Sequence, residues 1–150
     1  PLLLAAFSHD LCAWDSEFEV YLRIGMTKGQ APPDVESLFD HPAVDVRTEA
    51  VSLAGQLQIR TLVPAIRRRL ADRDKAVVAA SCWALSALDA KEAAHEIALL
   101  IRHRSGEVRN RAFLALEALH VNPRLEELLH DNDLDLRTWA SEVLLARDRY

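Results

Sequence analysis

Six histidines, two cysteines and three tryptophans are the residues of this 150-residue chain whose types could do chemistry. Histidine serves as general acid, base or metal ligand only when other groups are held within reach of it. His9, His41, His103, His120 and His130 are scattered, and no two share a helix at i, i+4 spacing with a carboxylate; only His95 is followed directly by Glu96. A metal site needs three or four converging ligands, so these histidines are read as lying on solvated helix faces and in loops. Cys12 and Cys82 lack CxxC spacing and read as reduced, partly buried thiols of a cytosolic protein. No Gly-rich phosphate loop, nucleophile elbow or Cys/His signature is present. The expectation is a protein that is not an enzyme, with no cofactor, no metal and no catalytic residue.

The remaining chemistry is that of binding. Arg67, Arg68 and Arg69 form one basic triplet and Arg102, His103 and Arg104 another, with Arg60, Arg73 and Lys75 nearby in sequence. The chain as a whole is acidic, with a formal charge of -5. That charge is segmental: residues 1–40 carry -5, 41–74 carry +2, 75–105 carry +1 and 106–150 carry -3. An acidic total argues against nucleic acid as partner, which calls for Lys and Arg on one face. With 50% hydrophobic and 27% charged residues the chain is neither a disordered tail nor a disulfide scaffold. No apolar run approaches the roughly 20 residues that span a bilayer, so no membrane is expected and the location is read as cytoplasmic. Position 1 is Pro, not Met, and a piece of a longer protein is expected.

Four Gly and abundant Ala, Leu, Arg and Glu point to helices, and an internal repeat positions them. Asp45-Val46-Arg47-Thr48-Glu49-Ala50, Glu107-Val108-Arg109-Asn110-Arg111-Ala112 and Asp135-Leu136-Arg137-Thr138-Trp139-Ala140 each read acid, aliphatic, Arg, two variable residues, Ala. A degraded copy starts at Ala76-Val77-Val78. The anchors Val46, Val77, Val108 and Leu136 are 31, 31 and 28 residues apart. The three residues missing from the last interval are expected in the hairpin turn, where only His120 separates Leu119 from Val121. From each anchor, apolar residues fall at 0, +4, +7, +8 and +11, one stripe of a helix. A second helical pattern follows, as in Leu62/Ile66/Leu70 and Ala93/Ile97/Ile101. Asp72-Arg73-Asp74, Arg104-Ser105-Gly106 and Asp131-Asn132-Asp133 are turn or N-cap signals. Each repeat is then a helical hairpin that buries its stripe only by stacking on its neighbours.

The acid-Val-Arg-x-x-Ala start, the small residue at +9 (Gly55, Ser86) and the period near 31 resemble HEAT repeats, in the short bacterial form also seen in phycobilisome lyase subunits. The resemblance covers about residues 41–147. It implies an all-α fold, a right-handed α-α superhelix with first helices outside and second helices on the concave side. It also implies a protein-binding scaffold or adaptor. HEAT-like deoxyhypusine hydroxylases hold two irons through several His-Glu pairs, and one pair, His95-Glu96, does not meet that pattern. HEAT-like alkylpurine DNA glycosylases use an aromatic, cationic concave groove, whereas the tryptophans here fall on first helices. In resembling repeats the Arg after the anchor lies in the seam between repeats and pairs with acids. Arg47, Arg109 and Arg137 are expected to do so, with Asp45, Asp74, Glu107 and Asp135 available.

The whole chain, residues 1–150, is read as one domain. Residues 1–40 form a divergent first repeat (Trp14, Phe18, Tyr21, Leu22 and Gly25 at helical spacing), followed by repeats at 41–74, 75–105 and 106–133 and a partial one at 134–150. Two surfaces are candidates for binding. The first is outer: position +6 points about 150° away from the buried stripe and holds Ser52, Trp83, Leu114 and Glu142. Trp83 and Leu114 there would anchor a homo-oligomer or a docked partner. The second is the concave row, where Arg67, Arg68, Arg102 and His103 would receive an acidic protein segment. The alternative reading is an accessory lyase- or chaperone-type subunit of an enzyme complex. The middle of the chain also resembles HEAT proteins associated with type VI secretion.

Overall fold

A computed structural model describes residues 35–149, and all of their regular elements are helical. Cys12, Trp14 and the rest of the expected first repeat up to residue 34 lie outside the described residues. A short helix α1 (Val35–Leu38) leads into α2 (Val44–Gln56), and α3 (Val63–Arg69) follows a 3₁₀ turn at Arg60–Leu62. The next hairpin is α4 (Lys75–Ala87), a 3₁₀ turn at Lys91–Ala93, α5 (Ala94–Leu99) and a second 3₁₀ turn at Leu100–Arg102. Then come α6 (Gly106–Ala118), a 3₁₀ helix at Leu125–His130, and α7 (Leu134–Arg147). First helices pack on first helices, α2 on α4 and α4 on α6, and α3 and α5 close the row behind them.

The predicted stripe is the core. Val46, Val77, Val108 and Leu136 are buried, as are Ala50, Leu53, Ala54, Ala112, Ala115, Leu116 and Leu119. Because the period returns the same stripe to the next helix, the core runs as a line through the stack.

The turns repeat with the same fidelity. Gln58, Asp89 and His120 all take positive φ (57°, 49° and 59°) just after a first helix. At each, the long bond that closes a Schellman ending forms: Ile59 N to Ala54 O, Ala90 N to Leu85 O and Val121 N to Leu116 O at 3.0, 2.9 and 2.8 Å. The third turn is therefore intact, which corrects the expectation that residues are missing between Leu119 and Val121. They are missing from the second helix. Thirteen positions separate Ile59 from Asp72 and Ala90 from His103, but ten separate Val121 from Asp131. The segment responds by winding as a 3₁₀ helix over its whole length, Leu125–His130. At about 2.0 Å per residue it spans roughly the distance of eight α-helical residues, and Leu125 and Leu128 still reach the core.

Helix starts are stapled by a position that the turn signals marked at Asp72 and Asp131 but not at His41 and His103. His41, Asp72, His103 and Asp131 occupy equivalent places, and each accepts the N–H two residues on: Ala43 and Ser105 to the histidine Nδ1 atoms at 3.0 Å, Asp74 and Asp133 to the aspartate Oδ1 atoms at 2.9 Å. Histidine and aspartate alternate here because each puts an acceptor at the same reach from the backbone. Asp74 and Asp133 then cap their helices, as their types suggest, by accepting from Ala76 N and from Asp135 N.

Candidate protein-binding surfaces

The Arg after each anchor does occupy the seam, but it pairs with other groups than the acids expected. Arg47 donates through Nη1 to the carbonyls of His41 and Pro42 at 2.8 and 3.1 Å, and through Nε and Nη2 to Asp72 at 3.1 and 3.2 Å. Arg109 Nη1 reaches the carbonyls of His103 and Arg104, and Arg137 Nη1 that of Asp131. Each clamps the loop that precedes its own helix. Asp45, Glu107 and Asp135 lie one residue before the anchor, so their side chains leave the helix away from the loop that the Arg faces. Buried Arg109 makes no bond through Nε; instead its guanidinium carbon sits 5.6 Å from the centre of the Trp139 ring. Trp139 is 7% exposed, meets Phe113 edge-on at 6.4 Å and donates its indole N–H to Asn110 Oδ1. These rings fill the seam between α6 and α7.

On the row of second helices the arginines reach across to the next hairpin. Arg60 meets Glu92 at 3.2 Å, Arg67 Nε meets Glu96 at 3.0 Å, and Arg102 pairs with Asp131. Arg68 pairs with Glu36, while Arg69 holds the Phe39 carbonyl and Asp40, each at 3.0 Å. Partners lie 29–32 residues apart, the distance at which the period sets neighbours side by side. The Arg67 guanidinium beside Glu96 holds that carboxyl below the usual range. At Asp131 the Asp133 N–H does so first and Arg102 second.

The two basic triplets are not equivalent in the stack. One period of 31 residues carries Arg67–Arg69 onto Ala98, Leu99 and Leu100, and carries Arg102–Arg104 back onto Ala71, Asp72 and Arg73. Arg67, Arg68 and Arg69 belong to the last turn of α3; Arg102 ends its 3₁₀ turn, and His103 belongs to the following loop. The His103 Nδ1 accepts from Ser105, so the imidazole is neutral, and burial followed by Arg104 and Arg109 pushes its pKa down. Sequence reasoning missed Leu99, 64% exposed at the place equivalent to Arg68. Its signal was available: an apolar residue two positions from the stripe residues Ile97 and Ile101, and so on the opposite face of the helix.

On the row of first helices, α4 lies sunk between α2 and α6. Of its side chains only that of Lys75 is exposed. The absence of charge on this helix is thus answered by its two neighbours. Its Ala76, Ala79 and Ala80 floor an open trough of about 340 Å³, with Ser52 on one wall and Glu107 and Arg111 on the other. Trp83 stands in the trough but leans on α2, its Cζ3 occupying the space a side chain at Gly55 would take. Leu114, on α6, is 54% exposed.

Among the described residues no group of three His, Cys, Asp or Glu could hold a metal ion, and no helix is long and apolar enough to cross a membrane. Burial pushes the Cys82 thiol up to about 12, where it is protonated and unreactive.

Stacked hairpins with a linear core define an α-helical repeat protein. The family model for HEAT repeats matches residues 32–117, more than half of the sequence, and the chain belongs to that family. A search of curated proteins found no match to the chain. HEAT repeats as a class mediate protein–protein interaction.

Proposed function

We propose that this chain is a non-enzymatic, cytoplasmic scaffold or adaptor that grips a partner protein along its row of second helices. The observation that supports it is Leu99, a large apolar side chain 64% exposed between the Arg67–Glu96 and Arg102–Asp131 pairs. An exposed aliphatic residue inside a charged rim is the usual make-up of an interface anchor. The arginine partners are intramolecular carboxylates on an exposed surface, and such pairs are worth roughly 0–1 kcal/mol each. An acidic segment of another protein therefore exchanges with Glu36, Glu96 and Asp131 at little net loss. Its charge steers the encounter, and Leu99 supplies the contact that holds it.

The test is a pull-down at graded salt from the source organism, with the captured partner then titrated against variants. Leu99→Asp and the triple reversal Arg67→Glu/Arg68→Glu/Arg102→Glu are expected to weaken binding at least tenfold while circular dichroism stays unchanged. Binding indifferent to salt and to both variants would remove the reading.

A further inference from the structure

We infer that the start of α6 is a carboxylate site, where Arg104, Ser105, Gly106 and Arg109 receive an acidic side chain of the partner protein; the inference deepens the scaffold reading and rests on it for the source of that carboxylate. Four first helices begin from an extended N-cap residue: Ala43, Asp74, Ser105 and Asp133. At three of these starts the chain brings a carboxylate of its own. Asp74 accepts from Ala76 N and Asp133 from Asp135 N, each at 2.9 Å. At α2 the cap is alanine, but the Arg47 guanidinium in the same seam closes on Asp72. At α6 neither happens. Ser105 caps nothing with its side chain, and among the described residues Arg109 has no carboxylate within ion-pair reach.

What gathers there instead is donors. The N–H groups of the first turn, Gly106, Glu107 and Val108, have no partner inside the helix and none from the cap. Arg109 is nine-tenths buried. Its Nη1 is spent on the carbonyls of His103 and Arg104, and its Nε is sealed and unpartnered. Its Nη2 is turned to the helix start, 3.5 Å from where a Cβ on Gly106 would stand, in a place otherwise open. Arg104 is exposed and, among the described residues, outside any ion pair. The positive end of α6 and two guanidiniums therefore share one corner. The nearest acid, Glu107, is on the wall of the trough over α4 and bonds to none of them. His103 registers the same uncompensated charge, since Arg104 and Arg109 add to burial in pushing its pKa down.

The other helix starts tell which anion fits. The backbone at Ser105 (φ -83°, ψ 124°) matches that at Asp74 (-102°, 127°) and Asp133 (-81°, 117°). A carboxylate brought to Ser105 thus meets the same N–H groups that the two aspartates hold. Glu107 close by opposes a doubly charged phosphate more than a singly charged carboxylate. Gly106 leaves the approach clear, and Arg102 of the partner-binding row lies only four residues earlier. One acidic segment can engage both.

Amide NMR of the full chain, with sodium acetate replacing sodium chloride at constant ionic strength, tests the site. The Gly106, Glu107 and Val108 amides are expected to shift and saturate with a Kd of about 10–100 mM. The Ala76 and Asp135 amides, already held by aspartate, are expected to stay still. Ser105→Asp supplies the carboxylate from within: the acetate response is expected to vanish and the melting midpoint to rise by about 2–4 °C. The same variant is expected to weaken the captured partner at least tenfold. Acetate shifts at Gly106 no larger than at Ala76, or partner binding unchanged in Ser105→Asp, would overturn the inference. Both results leave salt-sensitive capture through Arg67, Arg68, Arg102 and Leu99 standing. A saturating acetate response beside capture indifferent to salt removes the scaffold reading and leaves the carboxylate site in place.

Discussion

Gly55 of α2 lies directly against Ala84 of α4: a Cβ added at Gly55 would stand 2.9 Å from the Ala84 Cα and 2.9 Å from Cζ3 of Trp83. The first of these is backbone and has no rotamer by which to retreat. A glycine here permits the two first helices to approach closely, and the Trp83 ring then covers the gap.

Gly55→Ala is accordingly expected to destabilise the chain. Alanine gains helix propensity of about 1 kcal/mol, but overpacking of this kind costs about 1–3 kcal/mol, and with backbone as the obstacle the second effect wins. Trp83 must move as well, so its fluorescence is expected to shift to the red. Urea titration followed by tryptophan emission checks both, and a variant as stable as the wild type would show that the helices part freely.

His103 gives the chain a pH-dependent element. Its pKa is depressed below the ordinary 6.5 by burial, by Arg104 and by Arg109, so the unfolded chain takes up the proton more readily than the folded one. The stabilisation is full above about pH 6.5 and is lost as pH falls through the depressed value. Protonation also replaces the Nδ1 acceptor that holds the Ser105 N–H at 3.0 Å with a donor. In His103→Asn the amide oxygen can accept that bond and nothing titrates. Urea midpoints between pH 5 and 7.5 should fall in the wild type and stay flatter in the variant; parallel curves would refute the assignment. Loss at Glu96 and Asp131, whose carboxyls are held low, belongs to a separate window that opens at the ordinary carboxylate values of 4.5 and 3.8 and closes as pH falls through their own lowered ones.

Three turns hold non-glycine residues in the left-handed region, and they should not respond alike to glycine. His120 is exposed with φ 59°. Relieving that conformation in His120→Gly is expected to stabilise by about 1 kcal/mol. Gln58 uses its side chain, donating from Nε2 to Gly55 O at 3.1 Å and to Ala87 O at 2.9 Å on the next repeat. Gln58→Gly removes both bonds and is expected to be neutral or destabilising. Thermal melts of the two variants side by side decide it, with an equal rise in both counting against the role given to Gln58.

The sequence made the repeat legible because every copy must write the same local pattern. Val46, Val77, Val108 and Leu136 mark helix after helix, and Asp74 and Asp133 announce their helix starts by side-chain chemistry acting within three residues. The staple was marked at Asp72 and Asp131 as a turn signal and missed at His41 and His103, because the residue types differ although the acceptor they offer is the same. The missing turn was misplaced for a related reason. Apolar Val121 looks like the first residue of a second helix, whereas backbone bonds make it the end of a Schellman turn.

The sequence by itself determined the period, the buried stripe and hence a stack of helical hairpins, since these depend on residue type and spacing along one helix. Tertiary structure decided what the charged and aromatic side chains do. Each arginine here has several carboxylates and carbonyls within reach of its long side chain, and stacking selects among them: Asp72 for Arg47, Glu96 for Arg67, Asp131 for Arg102. The same holds for Trp83 and Trp139, alike in sequence terms on first helices. One leans on a glycine at the surface and the other is sealed into a seam, because the space each can fill is set by the neighbouring repeat.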